Sequence, residues 1–198
     1  MIIVDVESTG VDAKLCSLLS VGALDFDNPK NQFYEECRAF DGAHVEKEAL
    51  VVAGFTKEQI HDQRKKTDRE VVLAFLEWMK TCKEWTLVGQ NPSFDRDFLQ
   101  ETAHRYHIDW PLAHRTIDLH SIAYFRMLRA GEEIPRKNNH SALNLDAILK
   151  HVGLPTRTES HNALEDAKLE GEAFSRLISG KPLLDEYRQF SVPVGLQG

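Results

Sequence analysis

The chain has 198 residues, of which 42% are hydrophobic and 28% are charged, a composition typical of one globular domain with a sizeable core. Its formal net charge of -7 argues against a protein that coats nucleic acid through many lysine and arginine contacts to phosphate. The three cysteines are too few and too scattered for a disulfide framework, and no apolar run is long enough to cross a membrane. We therefore expect a cytoplasmic protein.

Strand patterns open the chain, and helical patterns follow them. Dense β-branched or alternating segments predict strands at residues 1–6, 18–26 and 32–40, and later at 85–89 and 114–119. Apolar residues at helical spacing predict helices near 46–53, 67–82, 119–130, 141–151 and 163–178, and a further helix that begins after Asn91. The polar stretch at 134–140 predicts a mobile loop. We predict one α/β domain over residues 1–180, with a central mixed five-stranded sheet flanked by helices, and a C-terminal tail over 181–198.

Helix-capping residues fix where several helices begin. Thr67 and Glu70 match a capping box, and Asn91 reads as an N-cap residue followed by proline at the first helical position. Asn162 and Glu165 match a second capping box.

Two acidic residues stand two apart on the first predicted strand. Because side chains alternate along a strand, Asp5 and Glu7 leave the same face about 7 Å apart and can bind one cation. The alternative is that both lie on the solvent side of an alternating strand. Asp95 falls in the first turn of its helix, where the helix dipole stabilises a carboxylate whether or not the residue has a function.

A histidine and an aspartate flank the start of the last helix. The second capping box makes His161 the residue before the cap and Asp166 the fourth helical position, and these two positions meet in space. An imidazole paired with a carboxylate gains little packing energy, which favours a chemical role. The alternative is an ordinary surface contact at a helix start.

Three segments together carry a family pattern. The sequence reads DVESTG at 5–10, GQNPSFD at 89–95 and SHNALEDA at 160–167. These segments resemble, in order and in separation, the three motifs of the DnaQ-like, or DEDDh, 3'-to-5' exonucleases, the family of the exonuclease domain of the DNA polymerase III epsilon subunit. The resemblance implies an RNase H-like fold over residues 1–180. The histidine near the last aspartate indicates the DEDDh branch.

The resemblance also implies a role for each matching residue. Two divalent cations, Mg²⁺ or Mn²⁺, would be held by Asp5, Glu7, Asp95 and Asp166, with Asp5 reaching both ions. His161 would be the general base that takes a proton from the attacking water. Four converging carboxylates need cations in any case, since two of them about 4 Å apart repel by about 4 kcal/mol at an effective dielectric near 20. Zinc would be less natural without cysteine ligands.

Substrate contacts are expected around these acids. We expect Ser8, Thr9, Phe55 and Asn91 to contact the 3' end of a nucleic acid. Arg136 and Lys137 could touch its backbone, although such pairs are more often solvated surface. Single-stranded DNA is favoured as substrate and RNA is possible, because proofreading, repair and RNA-trimming enzymes share the motifs. A polymerase or repair protein is a possible partner.

Other readings of the same residues stay open. A catalytically silent scaffold would retain the fold but lose a ligand, whereas every chemical position is filled here. A glycosidase would use Asp5 and Glu7 as its acid pair, but two more acids and a histidine suit a metal site better. His104 and His107 are spaced to share a metal, yet no further ligand accompanies them.

Overall fold

The computed structural model describes residues 1–157 and 161–197. Its strands are β1 Ile2–Ser8, β2 Leu18–Asp25, β3 Asn28–Arg38, β4 Lys66–Thr67, β5 Leu87–Gly89, β6 Thr116–Asp118, β7 Arg136–Lys137 and β8 His140–Ser141. Its α-helices are α1 Lys47–Ala53, α2 Asp68–Met79, α3 Pro92–Arg105, α4 Leu119–Ala130, α5 Leu145–His151 and α6 Ala163–Ser179. The predicted order of strands and helices is therefore largely recovered.

The main sheet has six strands in the order β4-β3-β2-β1-β5-β6, so the prediction of five is wrong. The additional strand, β4, pairs parallel to the end of β3 through only two residues. A two-residue strand is too short to show a hydrophobic period, and its second residue, Thr67, is also the N-cap of α2. The β1–β2 and β2–β3 pairs are antiparallel, whereas β5 and β6 continue from β1 in parallel. The prediction of a mixed α/β sheet flanked by helices is confirmed.

The predicted loop at 134–140 contains a β-hairpin instead. Strands β7 and β8 pair antiparallel through Arg136 with Ser141 and Lys137 with His140. The two linking residues, Asn138 and Asn139, have φ of 51° and 64°, as the twist of a two-residue hairpin turn requires. Asparagine tolerates this left-handed conformation, and the Asn-Asn pair is the signal that the sequence offered for a hairpin.

Helix α6 packs closely across β1 and β2, and this contact places its N-terminus at the sheet. A Cβ atom on Gly22 of β2 would lie 2.1 Å from the backbone carbonyl carbon of Ala163, so only glycine fits there. The core continues on both faces of the sheet. Helices α2 and α3 cover one face around Phe75 and Phe98, and α4, α5 and α6 cover the other around Ile148. Because helices cover both faces of the sheet, β1 is buried along its length except at Asp5, which is half-buried.

The segment after α6 folds back onto that helix. Arg176 is fully buried, forms an ion pair with Glu172, and donates to the backbone carbonyl groups of Tyr187 and Phe190. The domain boundary at residue 180 stays a prediction. Within the described ranges, no helix combines the length and apolar character that a membrane crossing needs.

Candidate active site

Asp5 and Glu7 lie on strand β1, where Asp5 is half-buried and Glu7 is buried. Glu7 is only 7% exposed, and Oδ2 of Asp5 is buried with no hydrogen-bond partner among the described residues. The alternative of a solvent-facing pair is therefore wrong, because a strand between two neighbours with helices on both sides has no solvent face. An unpartnered buried carboxylate oxygen is costly, which indicates a site built for a cation or a proton.

The junction between β5 and α3 brings Asp95 against the first strand. Its Oδ1 accepts a hydrogen bond of 2.9 Å from the backbone N–H of Val6, between Asp5 and Glu7. Asn91 occupies the N-cap position with φ of 59°, and Pro92 is the first helical residue, as the pattern predicts. The Asn91 side chain makes no capping bond, however, and accepts from the hydroxyl of Ser93 instead.

The start of α6 supplies the histidine and the last aspartate. The Asn162 side chain accepts from the backbone N–H groups of Leu164 and Glu165. The second half of the predicted capping box is wrong, because the Glu165 carboxylate pairs with Lys168 at 2.9 Å. His161 and Asp166 meet as the capping pattern predicts, with 3.5 Å between Nδ1 and Oδ2. Ser160, which opens the third motif, lies outside the described residues.

The three motifs converge at one place. Within residues 1–157 and 161–197, one group of three potential metal ligands is found, formed by Glu7, His161 and Asp166, whose ligand atoms lie within 4.8 Å of one another. Asp5 and Asp95 adjoin this group. The charges of Glu7 and Asp166 act on Asp5, and the charge of Asp95 acts on both Asp5 and Glu7. His104 and His107 belong to no such group in the described chain.

Burial and the crowding of like charges raise the pKa values of the clustered acids. Burial raises the pKa of Asp5 well above its usual range, and repulsion from Glu170, Asp95 and Glu7 adds to the effect. Burial and then the charge of Asp166 raise the pKa of Glu7 from 4.5 to about 8, and burial raises the pKa of Asp95 to about 7. Without cations, the site therefore retains protons on some carboxylates near neutral pH.

A fifth buried acid, Glu170, was not predicted. It lies one helical turn after Asp166 on α6 and is 3% exposed. Its Oε1 accepts from the backbone N–H of Gln90, and its Oε2 has no partner among the described residues. After burial, Glu170 is the largest cause of the raised pKa of Asp5. The spacing of four residues from Asp166 was the available signal, since such residues share a helix face.

Arg157 is a second residue of the site that the sequence did not predict. Its guanidinium lies 3.1 Å from Oδ2 of Asp166 and 3.3 Å from Nδ1 of His161, and it also pairs with Asp146 at the start of α5. The guanidinium thus places a positive charge against a carboxylate of the predicted metal site. Burial and then the charge of Arg157 lower the pKa of His161. No motif marks a single arginine of this kind in the sequence.

A cavity of about 380 Å³ opens above the acids. Asp5, Glu7 and His161 line it, together with the apolar side chains of Val11, Ala49, Val52 and Phe94. Ser8 lines it as well, and its hydroxyl donates to the backbone carbonyl of Gly10. Glu46 and Glu48 are also part of the lining, so the cavity joins a charged floor to walls that are partly apolar and partly acidic.

The other three predicted substrate contacts do not line this cavity. Thr9 is fully buried, and its hydroxyl bonds the backbone of His44 and Ser17, so it supports the loop after β1. Phe55 packs beside Leu19 and Ile60, with the Lys65 ammonium 4.5 Å from its ring centroid, and it lines a neighbouring cavity that His161 also lines. Asn91 lines a second, polar cavity. Short-range sequence patterns do not reveal which way a loop side chain turns.

Comparison with known proteins identifies one family. A family described as RNase_T, Exonuclease, matches residues 2–174. The 3'-5' DNA exonuclease Cap18 of Escherichia coli is 29% identical over 189 residues, which cover 92% of this chain and 94% of that protein.

Solved structures share the fold. Cell-death related nuclease 4 (CRN-4) superposes with a TM-score of 0.68 at 21% identity, over 89% of this chain and 62% of that one. The nuclease domain of 3'hExo, a DEDDh family member bound to rAMP, gives a TM-score of 0.68 at 19% identity, over 92% and 93% of the two chains. Escherichia coli Exonuclease I with a bound oligonucleotide gives 0.67 at 18% identity, over 89% of this chain and 39% of that one. The predicted RNase H-like fold is thereby confirmed.

Proposed function

Since this chain belongs to the RNase_T family of exonucleases, which matches residues 2–174, we propose that it removes nucleotides from the 3' end of nucleic acid. The observation that carries the proposal is the convergence of acids from three distant segments, with Asp95 bonded between Asp5 and Glu7 and the His161 imidazole beside Glu7 and Asp166. The 3'-to-5' direction is supported by the similarity to Cap18, whose name states it.

The acids fit divalent cations. Oxygen ligands suit hard ions such as Mg²⁺ and Mn²⁺, and Oδ2 of Asp5 is buried with no partner in the described chain. Asp5, Glu7 and Asp166 would hold one ion, and Asp5 and Asp95 a second. When bound, the ions would neutralise the carboxylates and stabilise negative charge that develops on the phosphodiester. Arg157 supports this reading, because a cationic group already lies against Asp166 in their absence.

His161 is proposed as the general base. Its Nδ1 lies 3.5 Å from Oδ2 of Asp166 and 3.3 Å from Nη1 of Arg157, which can only donate. Once cations displace Arg157, a proton on Nδ1 would point at the carboxylate and leave Nε2 to accept one from water. The backbone N–H of His161 donates to the carbonyl of Val52 at 3.0 Å, which fixes the residue at the mouth of the cavity. This arrangement, in which a second group orients the base, is the one that general-base catalysis needs.

The terminal nucleotide would enter the cavity above the acids. Its phosphodiester would face Asp5, Glu7 and His161, and its base would lie against Val52 and Phe94. The Ser8 hydroxyl, at the cavity edge, is placed to meet the sugar. Thr9 would act indirectly, by holding the loop that carries Ser8.

Single-stranded DNA is the favoured substrate. The name of Cap18 specifies DNA, and the solved Exonuclease I structure carries an oligonucleotide, which supports this choice. The 3'hExo domain was solved with rAMP, which keeps RNA trimming as the second candidate. A polymerase or repair protein as partner, and a cytoplasmic location, stay predictions.

The test is degradation of DNA and RNA oligonucleotides labelled at the 5' end, single- and double-stranded, with free or blocked 3' ends. In Mg²⁺ or Mn²⁺ we expect a ladder of products shortened from the 3' end, strongest for single-stranded DNA, and none in EDTA. Shortening in excess EDTA would contradict the metal site. Shortening of a 3'-blocked strand from its 5' end would contradict the direction.

A further inference from the structure

The edge of the sheet carries a second cavity beyond the acids. It measures about 590 Å³ and lies between the β5–α3 junction, the end of β6 and the β7–β8 hairpin. Its polar lining includes the side chains of Gln90, Asn91, Asp118, Lys137, His140 and Ser141. The proposed reaction at the acids leaves all of them without a role.

The second cavity is aligned with the acid site. Strands β1, β5 and β6 are parallel neighbours, so their carboxyl ends lie along one edge of the sheet. Glu7 stands at the end of β1, Asn91 follows β5, and Asp118 ends β6. Adjacent strands are about 4.8 Å apart, so the end of β6 at Asp118 lies about 10 Å from the end of β1, and Asn91 lies between them. An extended chain that leaves the acid site along this edge enters the second cavity at Asn91 and continues towards Asp118.

The wall between the two sites is shared. The backbone N–H of Gln90 donates to Glu170 in the acid cluster, and its side-chain amide donates to the carbonyl of Leu143 at the base of the hairpin. Ser141 anchors the hairpin further, with 2.9 Å between its hydroxyl and Nε2 of His120. The hairpin is therefore held at a fixed place relative to the acids.

The lining suits a phosphate. Lys137 and His140 are cross-strand partners that both line the cavity, and Lys137 forms no ion pair within residues 1–157 and 161–197. Asp118, the acid in the lining, is occupied by the backbone N–H groups of Asn91 and His120 and by the hydroxyl of Ser121. The lining thus combines one ammonium with amide, hydroxyl and imidazole groups that can donate hydrogen bonds to a phosphate, in a chain whose net charge is -7.

We propose that this second cavity binds the backbone phosphate of a single strand upstream of the scissile bond, with Lys137 as its principal contact. The proposal rests on the proposed exonuclease function and extends it from the terminal nucleotide to a polynucleotide of several nucleotides. A contact outside the reacting centre holds substrate and transition state equally, so it acts on KM and leaves kcat unchanged.

Lys137→Gln tests the proposal, with Lys83→Gln as control. Both residues are exposed, and Lys83 precedes β5 at the opposite edge of the sheet. The substrates are oligothymidylates of two to eight nucleotides and the nitrophenyl ester of thymidine 5'-monophosphate, which is too short to reach the cavity. In Mg²⁺ we expect Lys137→Gln to raise KM about fivefold for the longer strands and to leave KM for the ester unchanged. Log affinity falls as log salt concentration rises, and we expect the variant to make this slope less steep by about 0.7.

Equal effects of Lys137→Gln on the ester and on the longest strand, or equal effects of both variants, would overturn the proposal. A binding measurement separates its failure from that of the proposed function. Fluorescence anisotropy of a labelled octanucleotide in EDTA, where no hydrolysis is expected, should show weaker binding by Lys137→Gln and unchanged binding by Lys83→Gln. If neither the ester nor the strand is hydrolysed, the proposed function fails. The anisotropy measurement still shows whether the second cavity binds a single strand through Lys137.

Discussion

Glu7→Gln should change how stability depends on pH in the protein without metal. The pKa of Glu7 rises from 4.5 in the unfolded chain to about 8 in the folded one, because the residue is buried beside Asp166. The folded state therefore favours the protonated acid. Its contribution to stability is fully present below pH 4.5 and is lost as pH rises towards 8. At about 1.4 kcal/mol per pKa unit, Glu7 accounts for a loss of at most about 5 kcal/mol.

The assay is urea unfolding followed by circular dichroism in EDTA, between pH 5 and 8.5. We expect the free energy of unfolding to fall with pH in the parent and to fall much less in Glu7→Gln, because the amide does not ionise. Added Mg²⁺ at pH 8.5 should stabilise the parent more than the variant. Glu84→Gln, which removes an exposed carboxylate before β5, serves as control and should follow the parent. Parallel pH profiles for the parent and Glu7→Gln would refute the crowding of charge at this site.

Three further substitutions test other parts of the site. His161→Ala should lower turnover by about 10²- to 10⁴-fold while Mn²⁺ binding, measured by calorimetry, persists, and parental turnover would remove the general-base assignment. Arg157→Gln should tighten Mn²⁺ binding and lower stability in EDTA, because the guanidinium occupies Asp166, whereas weaker Mn²⁺ binding would show that Arg157 helps to build the site. The exposed Arg188→Gln is its control. Gly22→Ala should destabilise the fold by about 3 kcal/mol or more in urea, since its Cβ would lie 2.1 Å from Ala163, and an unchanged midpoint would contradict that packing.

The site residues that the sequence predicted are those whose position follows from a helical or strand period. Asp5 and Glu7 are two residues apart and so share one face of a strand, and the helix cap at Asn162 predicted the contact between His161 and Asp166. Their convergence could be expected only through the family resemblance, because no local pattern states which distant segments meet. The family match over residues 2–174 confirms that resemblance.

The parts that sequence did not reveal depend on tertiary contacts. Glu170 faces Asp5 only because α6 crosses β1, and Arg157 lies against Asp166 only because Asp146 anchors it from α5. Phe55 and Asn91 line cavities on either side of the acids, Phe55 one that His161 shares and Asn91 the second cavity, and their contact with the terminal nucleotide stays a prediction. The two-residue strand β4 is too short for any period to mark it.

Anomalous diffraction from crystals soaked in Mn²⁺ tests the central claim most directly, because it locates cations independently of activity. We expect two peaks, one bound by Asp5, Glu7 and Asp166 and the other between Asp5 and Asp95, with Arg157 displaced from Asp166. Crystals that contain Mn²⁺ elsewhere but show no peak among these carboxylates would contradict the claim.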